Sequence, residues 1–182
     1  MILNKFNMKG LFLIKPKPIL DIRGSFRRNY CSKFLKKNRI QFNILQTNIS
    51  VSNKKSTLRG FHYSINPKQE SKIMTCILGE AFIVIVDLRK KSKTFLKKKY
   101  FLINDKNKYS LLIPSGIANA FITLKDNTIM HYYMNSIYEK KFDKNFHYDK
   151  NPFKIKWPSR INILSKKDKN AASFNLLNCY NG

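Results

Sequence analysis

A chain of 182 residues with 43% apolar and 13% aromatic content holds enough hydrophobic material for one buried core, which excludes a disordered polymer. Its 36 Lys and Arg against 10 Asp and Glu give a formal charge of +26, which reads either as a polyanion-binding surface or as a by-product of base composition. The second reading fits better: the lysines run along the whole chain, cluster no further than Lys97-Lys98-Lys99, and travel with the Asn and Ile of an AT-rich coding sequence. No basic-helix, zinc-finger or RNP-type pattern accompanies them, so nucleic acid is not an expected partner.

Cys31, Cys76 and Cys179 are widely spaced and form no C-x-x-C, which predicts reduced thiols and neither a disulfide frame nor a zinc knuckle. The N-terminal MILNKFNMKGLFLIKPKPIL is apolar but interrupted by Lys5, Lys9 and Lys15, too broken for a signal peptide or a membrane span. A cytoplasmic protein is expected.

In chain order, residues 10–15 predict a first strand, closed by Pro16 and Pro18, and Asp21–Gly24 a turn followed by a short strand from Phe26 to Tyr30. Ser32 to Asn38 predicts a short helix with a serine cap. Strands are then expected over Phe42–Ser52, Thr57–Tyr63, Lys72–Leu78, Ala81–Leu88, Thr94–Ile103, Tyr109–Ile113, Ile117–Leu124 and Thr128–Met134. Hairpins are expected at Gly79-Glu80, Asn104–Asn107 and Asp126-Asn127, and a closing helix over Ser165–Asn178. Many short strands without intervening helices predict an all-β antiparallel sandwich or barrel in a single domain, residues 1–182. The run AFIVIVDL is apolar on both faces and belongs in the middle of a sheet.

The heptad Thr57–Tyr63, TLRGFHY, places a cation, a glycine and an imidazole inside an apolar, aromatic strand. Such groups are costly to bury without partners, so they serve structure or chemistry. Arg59 and His62 are three apart, on opposite faces of a flat strand; a bulge at Gly60 is what would turn both toward one cavity. Lys72 heads the row Met74, Cys76, Leu78, and is either a strand-end cation reaching solvent or a lysine pointing into a barrel.

TLRGFHY, SKIMTCILGEAFIVIVDLRKKSKTF, LLIPSGIANAF, YYMNSIY and IKWP, in that order and spacing, resemble the dTDP-4-dehydrorhamnose 3,5-epimerases, the RmlC-like cupins, from about Asp21 to Pro158. The resemblance implies a cupin jelly-roll, a homodimer to which residues 1–30 contribute, a tail over 159–182, and a barrel holding a nucleotide-linked 4-keto-6-deoxy sugar. It also implies no cofactor and no metal: His62, His131 and His147 are isolated, with no H-x-H. By resemblance His62 is the base, Tyr132 the proton donor and Lys72 the enolate-steadying cation. Arg59 and Arg23 bind the diphosphate, Arg23 and its segment reaching across the dimer. Phe26 stacks on the nucleobase, Gln46 and Asn48 line the nucleotide site, and Tyr138 matches the family's second tyrosine.

Three positions depart from the pattern. Asn119 stands where a histidine is common, and Ile83 where an aspartate is. The aspartate that orients the catalytic histidine is expected near HYDKNPF, where an ungapped register places Lys150; a shift of one residue gives the role to Asp149. Three classes follow: an epimerase inverting C3 and/or C5 of the sugar through an enolate, a catalytically silent nucleotide-sugar-binding cupin, and a polyanion binder on the same barrel.

Overall fold

The computed structural model describes residues 1–65 and 67–180. Thirteen strands dominate. They are β1 (Ile2–Lys5), β2 (Phe12–Lys15), β3 (Ile19–Asp21), β4 (Gly24–Phe26), β5 (Gln46–Ser52), β6 (Leu58–Ser64), β7 (Lys72–Leu78), β8 (Glu80–Asp87), β9 (Lys98–Asn104), β10 (Ser110–Ile113), β11 (Ile117–Thr123), β12 (Thr128–Met134) and β13 (Asp143–Asn145). Two short helices, α1 (Ser32–Lys37) and α2 (Lys166–Lys169), and a 3₁₀ turn at Leu176–Asn178 complete the elements of the described residues.

Two antiparallel sheets face each other, in the orders β1-β2-β10-β7-β12-β5 and β13-β6-β11-β8-β9, while β3 and β4 form a separate hairpin. This is the expected all-β jelly roll. The three expected hairpins are something else. β7 and β8, β9 and β10, and β11 and β12 each lie in different sheets, so those turns carry the chain across the sandwich rather than back along one sheet. Gly79 makes the first crossing with φ +81°, and a Cβ there would meet Thr128 Oγ1 at 2.4 Å, so only glycine passes.

Alternation sorts the side chains into three packed layers. Ile83, Ile85, Phe121, Met74, Cys76, Leu111 and Met130 fill the space between the sheets. Val84, Val86, Ala118, Ala120, Phe61 and Tyr63 face outward from the five-stranded sheet and are covered by Phe146 and Phe153. The run AFIVIVDL therefore sits mid-sheet with both faces buried, as its composition predicts. A third layer, Leu35, Phe42, Ile14, Ile73 and Leu112, lies where α1 and the segment after it cover the six-stranded sheet.

Several boundaries differ from expectation. The cap of α1 is Cys31, whose Sγ accepts from the Phe34 N–H at 3.4 Å, not Ser32. The strand after the Asp21 turn is Gly24–Phe26, and the strand expected from Phe42 begins at Gln46. Thr94 to Leu96 turns instead of extending, because the buried Asp87 carboxylate gathers that loop. It accepts from Arg89 Nε and Nη2, both at 2.8 Å, from Ser92 Oγ at 2.7 Å and from Thr94 Oγ1 at 2.6 Å. Burial pushes the Asp87 carboxyl up, and those donors outweigh it to hold the group below the ordinary 3.8. Removing one partner of a buried ion pair leaves the other uncompensated. Asp87→Ala is expected to lower stability by about 3–5 kcal/mol, read as a shift in the urea midpoint; a change under about 1 kcal/mol would show the pair to be dispensable.

The expected helix over Ser165–Asn178 is only the single turn α2 and the later 3₁₀ turn. The tail instead runs along the barrel, satisfying its backbone there: Leu58 N–H donates to Ile163 O, His147 N–H to Ala172 O, and Tyr180 N–H to Leu88 O.

Candidate active site

The strand β6 carries the first two site residues. Opposite it, Asn119 of β11 pairs with His62 and Phe121 with Arg59, so three steps on β6 match two on β11. The extra residue is a bulge at Gly60, whose φ is +113° and whose absent Cβ would lie 2.6 Å from Asn119 O. The bulge turns Arg59 and His62 into the same cavity, about 240 Å³, lined also by Asn48, Ser50, Lys72, Asn119, Phe121, Tyr132 and Met134. Lys72, pairing with Met134 and Ile113, thus points into the barrel.

His62 has a carboxylate partner, and it is Asp168. Asp168 Oδ1 lies 2.7 Å from His62 Nε2, with the Asp168 side chain only 3% exposed. Asp149, the residue expected in this role, is elsewhere: its N–H and that of Lys150 donate to His147 Nδ1. Ser165 caps α2, and this cap is what aims Asp168. Ser165 Oγ accepts from the Asp168 N–H at 3.0 Å, and Asn145 Nδ2 and the Lys167–Asp143 ion pair tie α2 to β13. Burial pushes the Asp168 carboxyl up; the His62 hydrogen bond and charge, the Gly60 N–H and the Ser165 hydroxyl outweigh it and hold the group below 3.8. A carboxylate kept ionised fixes the imidazole proton on Nε2 and leaves the Nδ1 lone pair as the basic site.

The lowered carboxyl has a sign for stability. Its contribution is complete above the ordinary 3.8 and disappears as pH falls through the folded-state value. The urea-midpoint difference between the wild type and Asp168→Asn is therefore expected to be full at pH 7 and to close on acidification below 3.8; a gap that persists there contradicts the assignment.

Across the cavity, burial pushes the Tyr132 phenol well up, so it stays protonated and able to donate. Arg59 is pinned by Nη2 to Val51 O at 3.0 Å and by a long contact of Nε with Ser52 Oγ, which holds its positive charge at the wall. Ser50 Oγ and Asn119 Oδ1 are buried and have no hydrogen-bond partner among the described residues. Two unmet polar atoms on the wall of a small cavity mark a place where a polar ligand completes the bonding. Asn119 offers such a bond but no titrating group. Among the described residues no three His, Cys, Asp or Glu side chains converge as metal ligands.

Of the residues expected from sequence, the cavity gathers His62, Tyr132, Lys72, Arg59, Asn48 and Asn119. Gln46 and Tyr138 do not line it and connect to it through Asn48: Gln46 Oε1 accepts from the Tyr138 N–H and Gln46 Nε2 donates to Asn48 Oδ1. Arg23 and Phe26 are remote from it on the exposed hairpin, with Arg23 held by Asp21 at 2.6 Å. Asp168, Ser50, Phe121 and Met134 escaped the sequence reading. For Asp168 the available signal was S-K-K-D at 165–168, the serine cap three residues ahead of an acid in a lysine-rich tail.

Comparison with known proteins gives the family. The sequence model described as dTDP-4-dehydrorhamnose 3,5-epimerase matches residues 5–175. The enzyme of that name from Shigella flexneri is 33% identical over 173 residues, 93% of this chain and 94% of its own. The crystal structure of the Bacillus anthracis enzyme, with TDP and PPi bound, superposes with a TM-score of 0.92 at 32% identity, covering 95% of this chain and 99% of that one. The Legionella pneumophila RmlC structure, in complex with dTDP-4-keto-L-rhamnose, gives 0.91 at 28% identity and covers 100% and 98%. A family model matched over residues 5–175, a relative 33% identical across 93% of the chain and a barrel that superposes at a TM-score of 0.92 leave one assignment: the chain belongs to the dTDP-4-dehydrorhamnose 3,5-epimerase family.

Proposed function

We propose that this protein inverts C3, or C3 and C5, of a dTDP-linked 4-keto-6-deoxy sugar. The observation that carries the reading is one cavity holding a carboxylate-backed imidazole, a buried phenol and an ammonium. The C4 ketone acidifies the protons on its neighbouring carbons. His62 takes one of them, the C–H electron pair moves to give the C4 enolate, and Lys72 steadies the oxygen. Tyr132 gives its phenolic proton to the opposite face of the carbon; the tyrosinate is then reprotonated from solvent, and protonated His62 releases its proton to solvent. Asn119 and Ser50 supply the polar contacts that the cavity lacks without a ligand.

The silent-binder alternative drew its support from the apparent loss of the aspartate behind the histidine. Asp168 removes that support.

The nucleotide end of the substrate falls to Asn48, Arg59, Gln46 and Tyr138, with Arg23 and Phe26 supplied by a second copy of the chain. What supports a homodimer is the exposure of apolar residues on the hairpin and on the edge strand β5: Ile19, Leu20, Ile22, Phe26, Ile49 and Val51. The same reading carries a cytoplasmic location, where nucleotide sugars are made.

The test is incubation with dTDP-4-keto-6-deoxyglucose in D₂O. Deuterium at C3, with or without C5, and an inverted product are expected; nucleotide binding with no exchange at either carbon overturns the proposal.

A further inference from the structure

Lys72 does not stand alone in the cavity wall. Its Nζ lies 3.0 Å from Glu70 Oε1, and the two side chains are only 13% and 11% exposed. Glu70 is not among the residues lining the cavity, so the charge presented there is the ammonium of Lys72 and not the carboxylate that holds it. Among the described residues the other lysine–carboxylate pairs have at least one partner well exposed, as in Lys68–Glu139, Lys141–Glu139 and Lys54–Asp126. Exposed pairs of that kind contribute little. The Glu70 pair is enclosed at both ends.

The backbone around it is fixed from both sides. Lys72 opens β7 between β10 and β12. Ser71, between the two charged residues, donates its N–H to Asn135 Oδ1 at 2.6 Å and accepts the Asn135 N–H on its carbonyl at 3.2 Å. Glu70 is thereby set two residues before Lys72, on the same side of the chain. A lysine stem carries four rotatable bonds, and a free ammonium spreads over many rotamers. An immobile carboxylate selects one of them and occupies one of the three ammonium N–H groups.

We propose that Glu70 is a positioning residue for the reaction: it fixes the Lys72 ammonium against the cavity so that two N–H groups remain for the oxygen that becomes the enolate. The proposal rests on the role given to Lys72 in the proposed function.

Four proteins separate the outcomes: wild type, Glu70→Gln, Lys72→Met and the double variant, each followed for deuterium incorporation over times long enough to read slow exchange. In Glu70→Gln the exchange rate at saturating substrate is expected to fall about tenfold, with KM and dTDP affinity within about twofold, because the nucleotide is held elsewhere. Glu70→Asp, which keeps the charge on a shorter stem, recovers part of the rate. In the Lys72→Met background Glu70→Gln adds no further loss. Unchanged exchange in Glu70→Gln overturns the inference alone. So does a full tenfold loss persisting without Lys72, or a loss of nucleotide affinity in parallel with rate, since each describes a merely structural glutamate. Absence of exchange in the wild type instead overturns the epimerase reading, and this inference with it.

Discussion

In an Asp168→Asn variant, deuterium incorporation into dTDP-4-keto-6-deoxyglucose is expected to fall by about 10²- to 10⁴-fold, the range over which a positioned general base contributes. Asparagine preserves the size of the side chain but not its charge or its acceptor-only character. The imidazole then loses the reason to keep its proton on Nε2, and the lone pair needed for proton removal is no longer held on the other nitrogen. Affinity for dTDP should be unchanged, because Asp168 is behind His62 and does not line the cavity. Asp149→Asn is the informative control: its backbone serves the ring of His147, so the exchange rate is expected to stay at the wild-type level. Exchange at wild-type rates in Asp168→Asn, or a large loss in Asp149→Asn, would reverse the assignment of the carboxylate.

The second large effect is a separation of two rates. In Tyr132→Phe the imidazole and the ammonium remain, so a proton still leaves the substrate and a deuteron returns from the same side. Inversion requires a donor on the opposite face, and phenylalanine has none. Inverted product is expected to fall by about 10²- to 10⁴-fold while exchange into unreacted substrate falls far less. Measuring both from one D₂O incubation by NMR decides it: parallel losses would mean that Tyr132 organises the cavity rather than donating the proton. Because burial already keeps the phenol protonated, the donor side of the reaction should not titrate across neutral pH.

Much of this was written into local sequence. The two-faced apolar run AFIVIVDL dictated a central strand, and the isolated Gly60 between Arg59 and His62 anticipated the bulge that brings both into one space. Lys72 was legible from alternation as one of two alternatives, and the register of β7 selects the inward one. What local reasoning could not supply were contacts made at long range. Asp168 meets His62 across 106 residues, and nothing in the spacing of either announces the other. Carrying an aspartate over by counting residues led to Asp149, which lies beside the wrong histidine. The 165–178 segment carries a serine cap and three lysines, good helix formers, yet the helix stops after one turn, because the barrel takes the backbone beyond it: Ala172 O accepts from the His147 N–H and the Phe174 N–H donates to Lys150 O. Thr94 to Leu96 has strand-forming residues, but a buried carboxylate outcompetes propensity there.

The origin of Asp168 in the tail sets an order of events during synthesis. When His62 leaves the ribosome, 106 more residues must follow before its carboxylate exists. Most of the barrel's strands are translated earlier, so a nascent chain can close its sandwich around an imidazole that still lacks a counter-charge. On the proposed mechanism, chemistry begins only once the late segment has zipped onto Ser56 and Leu58, which makes catalytic competence a report on translation through Asp168 rather than on folding of the barrel.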